Sequence, residues 1–367
     1  MTCSAIEARI MTRLASRFLT AFLTFLAFCV ALVTAHWAVS LAANRWSDNS
    51  GDGPTRFVVD FTLSSDQTKG VSRAFYSDER SSHAPIVSQL QLHDPRVSGA
   101  GTRIDTPGIV PHQSELSPCG RRLAIADRDG GVFVMELPRD SAPSPIVELE
   151  RFPNNTIADL RWTRDSSSIV AIGYDGLHCW SASTGRLQMS LASRGKPPTA
   201  IAMTDDPQSF WSAEHDAVVH RNVSDGSPIR TFPIPEGVRV IAVNGDGSRL
   251  IAVGDVGVVA IDTSDGDRLW GESPASGFCD FVSVSPDGHF VALAPRDIDL
   301  DYRRNHQVEV REVETGDLRV RFTPQVGEIA GLLYADHEVV YAWGHLGTIR
   351  SWDATNGKAI RTHHLSD

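Results

Sequence analysis

Short runs of alternating apolar and polar residues recur along this chain, and each closes on the same kind of turn. A run ends in a polar or acidic residue, and a glycine follows four positions later. The runs read Leu177–Gly185 (LHCWSASTG), Val218–Gly226 (VVHRNVSDG), Val258–Gly266 (VVAIDTSDG), Val308–Gly316 (VEVREVETG) and Ile349–Gly357 (IRSWDATNG). Weaker forms end at Asp94 and Glu136. The closing polar residues Asp94, Glu136, Ser181, Asn222, Asp262, Glu312 and Asp353 are 42, 45, 41, 40, 50 and 41 residues apart. Alternation with period two predicts strands, and Thr-Gly, Asp-Gly and Asn-Gly predict tight turns.

Each unit divides into four short strands. The clearest gives Val238–Asn244, Leu250–Gly254, Val256–Ile261 and a fourth strand from Arg268–Gly271. A period near 40–45 residues made of such strands is the signature of β-propeller blades, which must stack to bury their faces. Seven marks predict an all-β, seven-bladed propeller over residues 57–367. In the first repeat, Phe57–Ser64, Val71–Ser77 and Ile86–Leu92 serve as strands but lack glycine turns. The last repeat carries its own fourth strand, Lys358–Leu365. Two closures stay open: the last blade completes itself, or it takes a strand from the amino-terminal side. The innermost strands read mostly as Ala, Val, Ile and Ser, so no polar cluster is expected in the central channel.

Turn residues sharpen the picture. Ser285-Pro286-Asp287-Gly288 joins a first and a second strand, Trp352-Asp353 ends a third, and Asp129-Gly130 and Asp175-Gly176 turn between second and third. In these residues, over about Phe57 to Leu365, the chain resembles the WD-repeat family and its bacterial propeller relatives. That resemblance implies a protein-interaction scaffold without catalysis. Tryptophan holds its third-strand position only at Trp180 and Trp352; Met135, Arg221, Ile261 and Arg311 replace it. The histidine that precedes the first strand in that family has one fair counterpart, His112. A second resemblance, to quinoprotein-type repeats, rests on Val258–Trp270 and Ile349–Arg361, with Trp270 in the outer-strand position. It implies a quinoprotein or lactonase-type propeller enzyme. An envelope assembly factor is a third reading.

The amino terminus follows different rules. Phe18 to Ala43 is 26 residues without a charge. A helix of that length spans a bilayer core, so a signal-anchor is predicted, with a cleaved signal peptide as the alternative. Arg9, Arg13 and Arg17 precede it, and the far flank (Arg45, Asp48, Asp52, Arg56) has no net positive charge. The positive-inside rule then puts residues 1–17 in the cytoplasm and the propeller on the extracytoplasmic side. Residues 44–56 read as a polar linker.

Net charge is −11, with three lysines and no basic run, which argues against nucleic acid as a partner. Five cysteines without a CxxC pair predict separate thiols rather than a disulfide framework. No catalytic motif appears: no GxSxG, no HExxH at His337-Glu338, no phosphate-binding loop. No cofactor is expected, and His363-His364 reads as a solvated tail pair. Asn154-Asn155-Thr156 and Asn222-Val223-Ser224 match the glycosylation pattern. The 50-residue interval carries an insertion, Pro295–Asn305. Its alternating Asp297, Asp299 and Asp301 are weak candidates for a hard cation, opposed by Arg296, Arg303 and Arg304. Arg296, Asp299, Tyr302 and Arg303 are the candidates for contact with a protein partner.

Overall fold

Alternating runs of this length can only be edge-to-edge partners of one another, and the chain pairs them locally. The computed structural model describes residues 55–77, 87–127, 129–137, 145–149, 157–193, 196–234, 237–254, 257–272, 279–298, 304–336, 338–344 and 346–364. Arg56–Asp367 forms one compact unit. Seven antiparallel sheets follow in order, over residues 55–104, 111–148, 157–192, 200–233, 240–272, 279–322 and 329–364. Each has four main strands in sequence order, joined by hairpins. The first strands of blades two to seven touch in succession and form the inner wall. The predicted helix from Phe18 to Ala43 lies outside the described residues.

The recurrent glycine turn has one geometry. The N–H of Gly185, Gly226, Gly266, Gly316 and Gly357 donates to the carbonyl four residues back, on Ser181, Asn222, Asp262, Glu312 and Asp353. Asn222, Asp262 and Asp353 also accept the N–H two positions on with their side chains. Just before the turn, the third strand shifts register against the fourth, at Trp180, Arg221, Ile261, Arg311 and Trp352. This bulge falls on the position that holds tryptophan in the resemblance. Where arginine stands there, its guanidinium donates to the turn: Arg221 Nη1 to Gly226 O (2.8 Å) and Arg311 Nη1 to Gly316 O (3.0 Å).

The turn glycines also meet the neighbouring blade. At Gly266, where φ is +87°, an added Cβ would lie 2.7 Å from Phe232 on the outer strand of blade four. The same contact recurs around the ring: Gly185 on Glu148, Gly226 on Met189, Gly316 on Trp270 and Gly357 on Val320 and Phe322. Trp270 also donates Nε1–H to Val313 O at 2.5 Å. The outer-strand tryptophan of the quinoprotein-like pattern is thus one of five seam contacts.

First and second strands are joined by a second repeated turn. Its first residue (Ser64, Ser117, Thr163, Asn244 or Ser285) caps the N–H five positions on, at 2.8–3.1 Å. Blade one therefore has the turn that its sequence seemed to lack: Gln67 adopts φ +54° where Gly120, Gly247 and Gly288 stand in blades two, five and six and Ser166 in blade three. The Gln67 N–H donates to Ser64 O, as Gly288 donates to Ser285 O.

Seven apolar clusters each join two neighbouring blades. Leu160, Trp162 and Trp180 of blade three meet Ala124, Val134 and Leu149 of blade two. Trp211 and Ile234 of blade four meet Ile241, Leu250 and Ile261 of blade five. Phe322 stacks on Trp352 at 5.2 Å between blades six and seven. The ring closes between blades seven and one on Val58, Phe61, Ala74, Tyr341, Trp343 and Ile349. Blade seven supplies all four of its main strands. Gly99–Ala100, from the third–fourth connection of blade one, then pairs in parallel with His363 and His364. Both closures contribute, since the last blade completes itself and also takes a short strand.

Gly266→Ala should lower stability by about 1–3 kcal/mol, combining backbone strain with a steric clash. Gly271→Ala, whose added Cβ would meet nothing nearer than 3.7 Å, should stay within about 0.5 kcal/mol. Urea unfolding followed by tryptophan fluorescence measures both, and equal effects would remove the seam explanation.

Candidate functional site

An innermost strand is a sheet edge, and its free backbone groups need partners. Here the next blade's edge finds them on side chains. Thr62 Oγ1 accepts from Leu116 N (3.0 Å), Asp159 Oδ2 from Ile201 N (3.0 Å) and Ser283 Oγ from Tyr334 N (2.8 Å). Trp162 Nε1 donates to Glu115 O at 2.8 Å. These bonds run from blade to blade along the channel wall.

The same strands carry a cluster of charges on blades one to three: Asp60, Glu115, Asp159 and Arg161. Arg161 bridges two of the carboxylates, with Nη1 3.1 Å from Glu115 Oε2 and Nη2 3.2 Å from Asp159 Oδ1. The expectation of a channel without convergent polar groups is therefore corrected. The four residues sit on three innermost strands, with Asp159 and Arg161 sharing the strand of blade three, and only ring formation brings Asp60 and Glu115 to them.

The Glu115 side chain is 20% exposed, yet it is crowded by the channel walls. Burial pushes its carboxyl up to about 8; Arg161 acts against this, and Asp60 and Asp159 add to it. Asp60 is raised as well, by burial first, with Arg73 and Arg161 opposing. Arg161 is held above its ordinary value by Asp159 first. Asp60 and Glu115 thus share the field of Arg161, and Asp60 also feels Arg73. Such a wall can retain a proton or receive a cationic group. Among the described residues no three His, Cys, Asp or Glu side chains meet as a metal site.

The other sequence candidates fall elsewhere. The insertion lies between the second and third strands of blade six, as expected, and continues that hairpin: Arg296, Asp297 and Ile298 pair with His306, Asn305 and Arg304. Asp299, Asp301, Tyr302 and Arg303 lie outside the described residues, as do His337 and Asn154–Thr156. His112 is inside the first strand of blade two, Pro111–Leu116, rather than ahead of it. His363 is buried in the closing seam while His364 is exposed, so the reading of a solvated pair fails for His363. Cys119, Cys179 and Cys279 are free thiols.

Second–third turns and the crossovers between blades share one face, because antiparallel strands alternate direction. On that face Tyr174 is 67% exposed, with Val110 and Leu346 also open. Sequence patterning misses them, since single apolar residues in turns carry no periodicity.

No protein-family model matches the chain, and no curated protein matches its sequence. Solved structures do match. A chain of the structure titled "Crystal Structure of Mitotic Checkpoint Complex" superposes with a TM-score of 0.59 at 16% identity, over 72% of this chain and 84% of that one. The fold is a WD-repeat-like propeller. At 16% identity the likeness is one of fold alone. With 1594 solved chains matching, it selects an architecture and not an activity.

The pKa of Glu115 is higher folded than unfolded, so its contribution is fully present below about 4.5 and lost as pH rises through about 8. Glu115→Gln should flatten the fall in the urea midpoint between pH 6 and 9, a change on the order of 2–4 kcal/mol. Arg161→Met, which leaves Glu115 and Asp159 without their shared cation, should cost about 1–3 kcal/mol at pH 7. An unchanged pH profile in the Gln variant would show that Glu115 is not desolvated.

Proposed function

We propose that this protein is a membrane-anchored propeller acting as a protein–protein interaction scaffold on the extracytoplasmic side. The observation that carries this is the face around Tyr174. It presents exposed apolar side chains from blades two, three and seven on a ring whose seams are packed throughout. Aromatic side chains at rigid turns are the usual anchors of protein interfaces. The second–third connection of blade six carries the further contact candidates Arg296, Asp299, Tyr302 and Arg303 in its sequence. The titled complex of the fold neighbour is in keeping with protein partners. Phe18 to Ala43 is the proposed anchor, and the arginines before it set the proposed orientation.

A second reading draws on the channel cluster. Asp60, Glu115, Asp159 and Arg161 would form a small-molecule site, as in quinoprotein or lactonase-type propellers. The two readings separate by mutation, because Tyr174 and Glu115 lie on different surfaces.

Affinity capture of the full chain from detergent-solubilised membranes should recover a specific protein, and Tyr174→Asp with Leu346→Asp should reduce its recovery at least tenfold. Recovery unaffected by those changes but abolished by Glu115→Gln would favour the channel. In sealed vesicles, protease on the cytoplasmic side should leave residues 57–367 intact. Digestion from that side ends the proposed orientation.

A further inference from the structure

The closing seam buries two histidines side by side. His93 ends the third strand of blade one, and His363 lies on the outer strand of blade seven. They are 4% and 1% exposed. Their rings meet edge to face across the seam, 6.0 Å between centroids. His93 Nε2 and Ser72 Oγ share a hydrogen bond of 2.7 Å. His93 Nδ1 and His363 Nε2 have no hydrogen-bond partner. Each ring therefore keeps a buried nitrogen unsatisfied, at a cost that a neutral ring bears more easily than a charged one.

The surroundings are apolar or like-charged. Phe61 packs edge-on to His93 at 6.1 Å, and Tyr341 stacks with His363 at 6.5 Å. Arg361 and His364, on the same strand as His363, both disfavour a charge there. Asp94 alone favours it, and Arg96 engages that carboxylate at 2.8 Å. Burial and the facing His363 hold His93 down to about 4, and burial first lowers His363 as well.

The position of the pair gives it leverage. Gly99–Ala100 pairs directly with His363 and His364, and Gly101 N donates to His364 O at 3.2 Å. An added Cβ at Gly101 would lie 2.5 Å from the His93 ring. The imidazoles thus sit beneath the short parallel strand that fastens blade one to blade seven.

We propose that His93 and His363 form an acid-sensitive latch: charging the pair releases the Gly99–Ala100 strand and opens the seam between blades seven and one. Two like charges placed 6 Å apart in an apolar seam repel each other and demand water. The sign follows from the lowered affinities. The unfolded or opened chain binds more protons than the closed ring below about pH 6.5, so closure weakens as pH falls from there towards 4. The other seams carry no such pair among the described residues.

Amide hydrogen exchange on the full chain in detergent tests this. After correction for intrinsic rates, peptides covering 99–104 and 359–364 should exchange at least tenfold faster at pH 4.5 than at pH 7.5. Peptides covering 187–192 and 228–233, outer strands of seams without histidine pairs, should change less than twofold. His93→Asn with His363→Asn should abolish the difference. Should that variant not fold, the contrast between seams of the unmodified chain decides alone. A uniform rise in all seams, or a step that survives in the double variant, overturns the latch. Protection of the same peptides by zinc at pH 7.5 would assign the two nitrogens to a metal and overturn it equally.

Discussion

The contact on which the ring depends is the press of a turn glycine against the outer strand of the blade before it. A single four-stranded sheet leaves both faces exposed and cannot stand alone in water. It must lie between two neighbours at a fixed distance. In five blades that distance is set where Gly185, Gly226, Gly266, Gly316 or Gly357 meets its neighbour. The bulge before each turn aims the third strand's tryptophan, arginine or isoleucine, and the residues around it fill the seam. A side chain at the glycine would hold the blades apart and loosen the apolar cluster behind it.

Closure follows another rule. Blade one has no such glycine for blade seven to press. In its place stand a two-residue parallel strand, the aromatic set Phe61, Tyr341 and Trp343, and a buried histidine pair. The closing seam joins residues far apart in sequence and is the last that a growing ring can form. It gains least from local contacts and bears the largest loop-closure cost.

These differences explain what the sequence shows and what it hides. The seam glycines recur because every seam makes the same demand, so the blade count and the phase of the strands are legible from residues 177–357. The turn of blade one is hidden because Gln67 takes the conformation that glycine signals elsewhere. The channel cluster is hidden for a different reason. Glu115 and Asp159 each look like an ordinary polar residue alternating in a strand. Only the succession of innermost strands brings Glu115 to Arg161, which already neighbours Asp159 on its own strand. His363 is misread because a chain end is ordinarily solvated, whereas this one is an outer strand covered by Gly99–Ala100.

Inner wall and closing seam pull on proton affinity in opposite directions. Burial raises Glu115 and Asp60 on the wall, favouring the protonated forms. Burial lowers His93 and His363 at the seam, again favouring the neutral forms. A single physical cause, exclusion of water by close packing, thus acts against high pH at the channel and against low pH at the closure. Tyr174, Val110 and Leu346 lie in turns and a crossover apart from both groups, and their exposure depends on neither.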